Sequence, residues 1–295
     1  MNKIELSIII VNYKNYNDTI ECIRSVYNQL PNKFKTSVIV VDNYSNNKSV
    51  ENILNSFNDL ETQILNGTNR IKLSKLNLII NERNLGFGGG NNVAFKYINS
   101  GYVLLLNPDI VLPNDFLKSL KSLKKNHIYG FPTYDFYKKN NLLFLGGFNI
   151  NVFFGNVYPN LYENQIPDYI NGSGFLSHYL FFKENKFNLD YFLYWEETDL
   201  CRKIDKSKFK ILYDSKMYDK KSTTIGRGFI SEYYYQRNKL YYFYFQSKIL
   251  AYYYFIIGIF FLAKRLLTFR FSLAYGLIIG YKDFLIGKKG NIKSR

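Results

Sequence analysis

Four short apolar runs constrain the fold of this chain more than any other feature. They are Leu6-Ser7-Ile8-Ile9-Ile10-Val11, Val38-Ile39-Val40-Val41, Leu76 to Ile80 and Tyr102 to Leu106. Continuous β-branched runs of this kind are expected of strands buried on both faces. Helical patterns separate them. Ile20, Ile23, Val26 and Tyr27 follow a candidate cap at Asn17-Asp18, a polar helix follows Asp42-Asn43, and Gly86 to Asn92 opens another. Strands alternating with helices predict an α/β fold with a mostly parallel central sheet and helices on both faces. Ligands of such sheets bind beyond the carboxyl ends of the strands. Asn12-Tyr13, Asp42, Asn84 and Asn107-Pro108-Asp109 all fall at or just past such ends.

Residues 126–170 are rich in Asn, Tyr, Phe and Gly without a clear period, which predicts short strands and loops. Regular structure is expected again over Gly174 to Phe182, in a helix carrying Trp195 to Ile204, and in one beginning near Ser231-Glu232. With 295 residues the chain can bury a sizeable core. Its 2 His leave little room for a His-rich zinc site or a His-based triad. Cys22 and Cys201 lack CxxC spacing and read as small core residues in a reducing compartment. The opening Met1 to Glu5 leads straight into strand pattern, so no secretory signal is expected and the protein is expected to be cytoplasmic.

Two acidic clusters are candidates for chemistry. A carboxylate at Asn107-Pro108-Asp109 would suit a divalent cation shared with phosphate oxygens, although Asn-Pro-Asp is also good turn chemistry. Glu196-Glu197-Thr198-Asp199 reads either as a solvated helix N-terminus or as a cleft wall, since Phe192, Leu193, Tyr194, Trp195 and Leu200 flank it. A general base for a hydroxyl would need that second setting. Gly86-Phe87-Gly88-Gly89-Gly90-Asn91-Asn92 reads G-x-G-x-x-N after the wrong strand, so it is not a dinucleotide fingerprint. As a helix N-terminus it can still face a diphosphate.

Taken together and in order, the Leu6 to Tyr13 run, Val40 to Asn43, Asn84 to Asn92, Leu105 to Asp109 and Tyr194 to Leu200 resemble the family 2 glycosyltransferases, in the branch of rhamnosyltransferases and galactofuranosyltransferases. The resemblance covers roughly residues 4–240 and implies a GT-A fold with inversion at the anomeric carbon. By position it implies nucleotide binding by Asn12, Tyr13, Asp42, Asn84, Gly89, Asn92 and Asn107. Asp109 stands at the metal-binding carboxylate of the DxD motif, with Asn107 replacing its first Asp. Glu197 takes the place of the catalytic base, usually Asp. Glu196, Asp199, Gly172 and Ser173 would meet the acceptor. A His expected as a further metal ligand is replaced by Met217-Tyr218-Asp219-Lys220, which makes Asp219 the substitute. The implied cofactor is Mn²⁺ or Mg²⁺.

Charge and apolarity concentrate together at the C-terminus. The net charge is +16, and residues 237–295 hold eleven Lys/Arg against Asp283 alone, so +10 of it lies there. Fifteen uncharged residues, Ile249 to Ala263, precede Lys264-Arg265, and a second apolar stretch runs from Phe271 to Tyr281. The first is short for a span of about 20 residues. Amphipathic helices lying on an anionic membrane are the expectation, with a core helix pair or a single or re-entrant span as alternatives. The expected division is a catalytic domain over 1–236 and a membrane-association region over 237–295.

The expected activity is inverting transfer of a sugar from a nucleoside diphosphate, dTDP-rhamnose or a UDP-hexose, to a glycan or lipid-linked acceptor in bacterial surface polysaccharide synthesis, at the inner face of the membrane. Nucleic acid is not an expected partner, since no reader motif is present. Self-association is left open. The alternatives are a nucleotide-sugar-binding scaffold without activity and a sugar-phosphate nucleotidyltransferase. Against the latter, no glycine-rich Arg-containing loop follows Val11.

Overall fold

The computed structural model describes residues 3–66, 72–221 and 228–292. The first half contains strands β1 (Ile4–Asn12), β2 (Phe34–Asp42), β3 (Thr62–Ile64), β4 (Leu76–Ile80) and β5 (Tyr102–Leu106). Helices α1 (Tyr16–Tyr27), α2 (Ser49–Ser56) and α3 (Gly86–Ala94) connect them. The four expected strands are all present. β3 is an additional three-residue edge strand, too short to carry a readable period.

Further along come β6 (Ile110–Val111), α4 (Phe116–Ser119), β7 (Ile128–Gly130), β8 (Pro132–Asp135), β9 (Leu142–Leu145), β10 (Gly147–Ile150), β11 (Val157–Pro159) and β12 (Tyr169–Ile170). Then follow β13 (Gly174–His178), α5 (Tyr179–Glu184), α6 (Glu196–Arg202), β14 (Phe209–Ile211), β15 (Met217–Asp219), α7 (Phe229–Tyr244), α8 (Lys248–Leu267) and α9 (Phe271–Leu285). The main sheet has the order β14-β7-β13-β5-β1-β2-β4-β3. It is parallel except for β13, which runs antiparallel to both β5 and β7. Two small sheets, β11-β10-β12 and β6-β15-β8-β9, come from the aperiodic middle and from β15.

Alternation along the central strands builds a core on each face. Leu6, Ile8, Ile10, Val38 and Val40 meet Ile20, Ile23 and Ile53 of α1 and α2. Ile9, Ile39, Val41 and Leu105 meet Ala94, Phe182 and Leu200 of α3, α5 and α6. Both cysteines are buried and free. The cap of α1 lies two residues before the expected Asn17-Asp18. Asn15 accepts a long bond from the Asp18 N–H at 3.5 Å, because Asn17 is already within the helix.

α7 runs across the expected boundary at 236/237 without a break and buries every residue from Gln236 to Phe243. Its inward face packs on Tyr191 and Trp195, while α8 and α9 cover its outer side. α8 is 20 residues long, longer than the fifteen uncharged residues suggested, and among the described helices it alone is long and apolar enough to cross a membrane. Only Ala251, Tyr254 and Gly258 of α8 are buried. A Cβ at Gly258 would lie 1.7 Å from the Tyr281 hydroxyl, so α8 and α9 approach as closely as glycine permits.

Candidate functional site

At the ends of β1 and β2 a polar network surrounds Asp42. The Asn12 Nδ2 donates to Asp42 Oδ1 at 2.7 Å and to Ser45 Oγ at 3.1 Å, while the Ser45 N–H donates to Asp42 Oδ2 at 3.1 Å. The Thr19 hydroxyl donates to Asn12 Oδ1 at 2.9 Å. Asn12 is fully buried. Its side chain therefore orients Asp42. Tyr13 is half-buried, with the Lys14 ammonium over its ring. Lys14, Tyr44 and Asn46 have φ of 62°, 64° and 48°, a concentration of left-handed residues on one rim. Ser45 and Thr19 were not read as site residues. Their hydroxyls are recruited by the fold, and no local spacing announces them.

Asn43 and Asn84 build the next turn. The Asn43 Nδ2 donates to Asn84 Oδ1 at 3.0 Å and to the Gly86 carbonyl at 2.9 Å, and Asn84 Oδ1 accepts from the Gly86 N–H at 2.9 Å. The glycine run differs from the expected phosphate-facing helix start. The Gly86 and Phe87 amides are spent on Asn84 and on the Phe192 carbonyl, the latter at 3.1 Å. Cβ atoms at Gly88, Gly89 and Gly90 would meet Phe187, Leu85 and Val11 at 2.7, 2.7 and 2.8 Å. These glycines let α3 pack closely. Asn92, expected at the nucleotide, pairs with the Phe187 backbone: Nδ2 donates to its carbonyl at 2.8 Å and Oδ1 accepts from its N–H at 3.0 Å.

Asp109 and Asp219 are brought together. β6 and β15 pair antiparallel with Asp219 opposite Ile110, and the Lys220 N–H donates to the Asp109 carbonyl at 3.0 Å. Burial and the nearby Asp109 charge raise the Asp219 carboxyl to about 6, against partial relief from the Lys221 N–H and ammonium. Lys220 is drawn away to Asp18 and Glu21 of α1, the former at 2.8 Å. Two hard carboxylates whose charges resist being held together are chemically suited to Mg²⁺ or Mn²⁺. Among the described residues no group of three or more His, Cys, Asp or Glu gathers, so further coordination would come from phosphate oxygens and water.

The second acidic pair stands on the same rim. The Asn107 N–H donates to the Ser173 carbonyl at 3.2 Å, which joins the Asp109 turn to residues 171–173. Gly172 in turn lies against Glu197, whose Oε1 would be 3.8 Å from a Cβ there. Burial raises both Glu196 and Glu197, and Glu196 is raised further by the Glu197 charge. Glu197 is relieved by its own N–H and by that of Gly172, whereas Glu196 Oε2 is buried without a partner. The charged form is thus better supported at Glu197 than at Glu196. Glu197 also retains partial exposure.

Ser173 Oγ is a further buried polar atom without a partner beside this turn. Asp199 departs from its expected acceptor role. It sits about 200° around α6 from Glu197, and its carboxylate is bound by Arg202 at 2.6 Å and Lys203 at 3.6 Å.

The Glycosyl transferase family 2 profile matches residues 7–185, more than half of the chain. The chain belongs to this family. The rhamnosyltransferase WbbL of Escherichia coli (strain K12) is 27% identical over 152 residues, covering 43% of this chain and 57% of that protein. The match thus spans little more than half of that relative. Among solved structures, the mannosyltransferase PcManGT from Pyrobaculum calidifontis, in complex with GDP-Man and Mn²⁺, superposes with a TM-score of 0.58 at 14% identity over 97% of this chain and 88% of its own. GalNAc-T7 with UDP, GalNAc and Mn²⁺ gives 0.58 at 14% identity over 74% of this chain and 44% of that one. S. aureus TarS 1–349 in complex with UDP-GlcNAc gives 0.52 at 17% identity over 81% and 66%. The family 2 member described here has a GT-A-like fold.

Proposed function

We propose that this family 2 glycosyltransferase moves a sugar, with inversion, from a nucleoside-diphosphate donor to a hydroxyl of a lipid-linked or surface glycan acceptor. The carrying observation is that two acidic pairs, Asp109 with Asp219 and Glu196 with Glu197, flank one turn at residues 171–173. Asp42, oriented by Asn12 and Ser45, would accept from the base of the nucleotide. Asp109 and Asp219 would hold Mn²⁺ or Mg²⁺, which when bound neutralises charge developing on the leaving diphosphate. Glu197 would take the proton of the acceptor hydroxyl as its oxygen attacks the anomeric carbon from the face opposite the diphosphate. Glu196 Oε2 and Ser173 Oγ, both buried without a partner, would hydrogen-bond sugar hydroxyls. A dTDP-rhamnose or UDP-hexose donor and a role in bacterial surface polysaccharide synthesis follow from the likeness to the rhamnosyltransferase.

The reading is tested by incubating the full chain with a panel of nucleotide-sugars, with and without Mn²⁺. We expect release of nucleoside diphosphate from at least one donor, lost on chelation. A chain that neither binds nor cleaves any donor would sink the enzymatic reading.

Membrane contact belongs to the same proposal. Ile249, Ile256, Ile259 and Phe260 of α8 point outward, with Phe260 69% exposed. The Tyr253 and Tyr254 hydroxyls donate to the Phe153 and Val152 carbonyls at 3.0 and 2.6 Å, so exposed Val152, Phe153 and Phe154 join this surface. Lys248, Lys264 and Arg270 at the ends of α8 are exposed and suit anionic headgroups. Because α8 is fastened along its length to α9 and to this loop, we place it on the cytoplasmic leaflet, lying flat. Co-sedimentation with anionic vesicles is expected at low salt and weakens as salt rises, with no binding to DNA. Equal binding to neutral vesicles at all salt concentrations would contradict the electrostatic part.

A further inference from the structure

The acids of α6 are reached through an unfavourable stretch of backbone. Phe192, Tyr194 and Trp195 have φ of 65°, 63° and 73°, so three bulky residues within four positions are left-handed. This conformation is unfavourable for L-residues and persists only where the surroundings impose it.

Two elements do so from opposite sides. On one side α3 donates the Phe87 N–H to the Phe192 carbonyl, and that oxygen would lie 2.0 Å from a Cβ at Gly86, itself at φ 74°. On the other side stand consecutive residues of α7. The Asn238 Nδ2 donates to the carbonyls of Tyr191, Leu193 and Tyr194 at 2.7, 2.6 and 3.0 Å. The Arg237 guanidinium donates to the carbonyls of Tyr191 at 3.1 Å, Asp190 at 3.3 Å and Gly290 at 2.9 Å. Both side chains are fully buried. The turn after α9 closes the arrangement, with the Gly290 N–H donating to the Asp190 carbonyl at 2.7 Å and Lys289 paired with the Asp190 carboxylate at 2.7 Å.

We infer that Arg237 and Asn238 are positioning residues for the transfer reaction: by collecting the carbonyls of Asp190, Tyr191, Leu193 and Tyr194 they set the rotation of α6, and with it the aim of Glu196 and Glu197. The physical reason is a demand that backbone groups meet only in part: the Gly290 and Leu193 N–H groups reach the Asp190 and Tyr191 carbonyls, while Asn238 supplies those of Leu193 and Tyr194. Buried carbonyls need donors, and a left-handed run turns several carbonyls towards one side, where a single amide and one guanidinium fork satisfy them together. Without those donors the stretch relaxes toward ordinary φ, and α6 turns with it. Asn238 Oδ1 in turn accepts from Arg237 Nε at 3.0 Å, so the pair holds itself in register. The inference rests on Glu197 being the base.

The test is Asn238→Ala in the full chain, read by amide hydrogen exchange and by kinetics. Protection of amides in residues 190–197 is expected to fall at least about tenfold while β1 and β5 keep theirs. kcat is expected to fall by about 100-fold, the scale of a small misplacement of catalytic groups, with the donor KM nearly unchanged. Should Asn238→Ala not fold, Arg237→Lys keeps the charge, loses the fork and should show the same kcat-selective loss. Unchanged protection in residues 190–197 together with unchanged kcat would overturn the inference. Were the wild-type chain inactive with every donor, the catalytic reading would fail by itself, and hydrogen exchange would still decide whether Asn238 holds this stretch.

Discussion

Glu197→Gln is expected to lower sugar transfer by about 10²–10⁴-fold, the contribution of a positioned general base, while nucleotide-sugar affinity stays close to that of the wild type. The prediction follows from how unlike the two adjacent glutamates are. Both are raised by burial, but Glu197 alone has a second backbone N–H, that of Gly172, supporting its charged form, and it alone retains exposure from which an acceptor can be reached. Gln preserves size and hydrogen bonding and removes only the basic site. Turnover and donor affinity, measured side by side, separate chemistry from binding. Wild-type turnover in this variant would assign the proton to another group. Loss of donor affinity would mean that Glu197 serves the nucleotide.

Lys239→Met is expected to stabilise the fold by about 3 kcal/mol at pH 7, which follows from a pKa lowered from 10.5 to about 8. Lys239 of α7 is fully buried, its Nζ has no hydrogen-bond partner, and it lies 5.5 Å from the Phe261 ring. Its pKa falls from 10.5 to about 8, chiefly through burial, with the Glu232 charge opposing and the Arg265 charge adding to the fall. Glu232 cannot compensate fully, because it is already paired with Arg265.

The sign of the pH dependence follows. Below pH 8 the folded and unfolded chains both hold the proton, so the full penalty is present. Between about 8 and 10.5 the unfolded chain binds more protons, and folding becomes more favourable as pH rises. The advantage of the Met variant should therefore be largest at pH 7 and shrink towards pH 10. Thermal melts at both values measure it, and a lower melting temperature for the variant at pH 7 would mean that the ammonium is engaged where the fold leaves it alone. An unpaired buried ammonium costs stability, and no role in the reaction is assigned to it here.

Much of the architecture was legible because burial on both faces of a sheet writes itself into composition. Ile8-Ile9-Ile10 and Val38 to Val41 could belong only to strands covered on each side, and their polar ends, Asn12 and Asp42, meet at one rim. The closeness of Asp109 to Asp219 depended on the family resemblance, since more than a hundred residues separate them. β6 and β15, of two and three residues, carry no period of their own. The glycine run serves close packing, a use that its composition does not announce. A glycine that lets a helix start face a phosphate and one that lets a helix meet a neighbouring chain look alike in sequence, and only the positions of Phe187 and Phe192 separate them. Asn92 is a similar case, a polar residue whose partner Phe187 lies 95 positions away, whereas the Asp199–Arg202 pair is an i,i+3 contact on α6 that spacing does show.

The sequence alone determined the order of strands and helices, the family and the rim on which polar residues collect, because each follows from local pattern and strand direction. Tertiary structure alone decided which polar groups remain available at that rim. It spends Asn92 and the first two α3 amides on internal contacts and draws Arg237 and Asn238 to the carbonyls before α6, because hydrogen-bond partners far apart in the chain are chosen by proximity in space and leave no trace in its spacing.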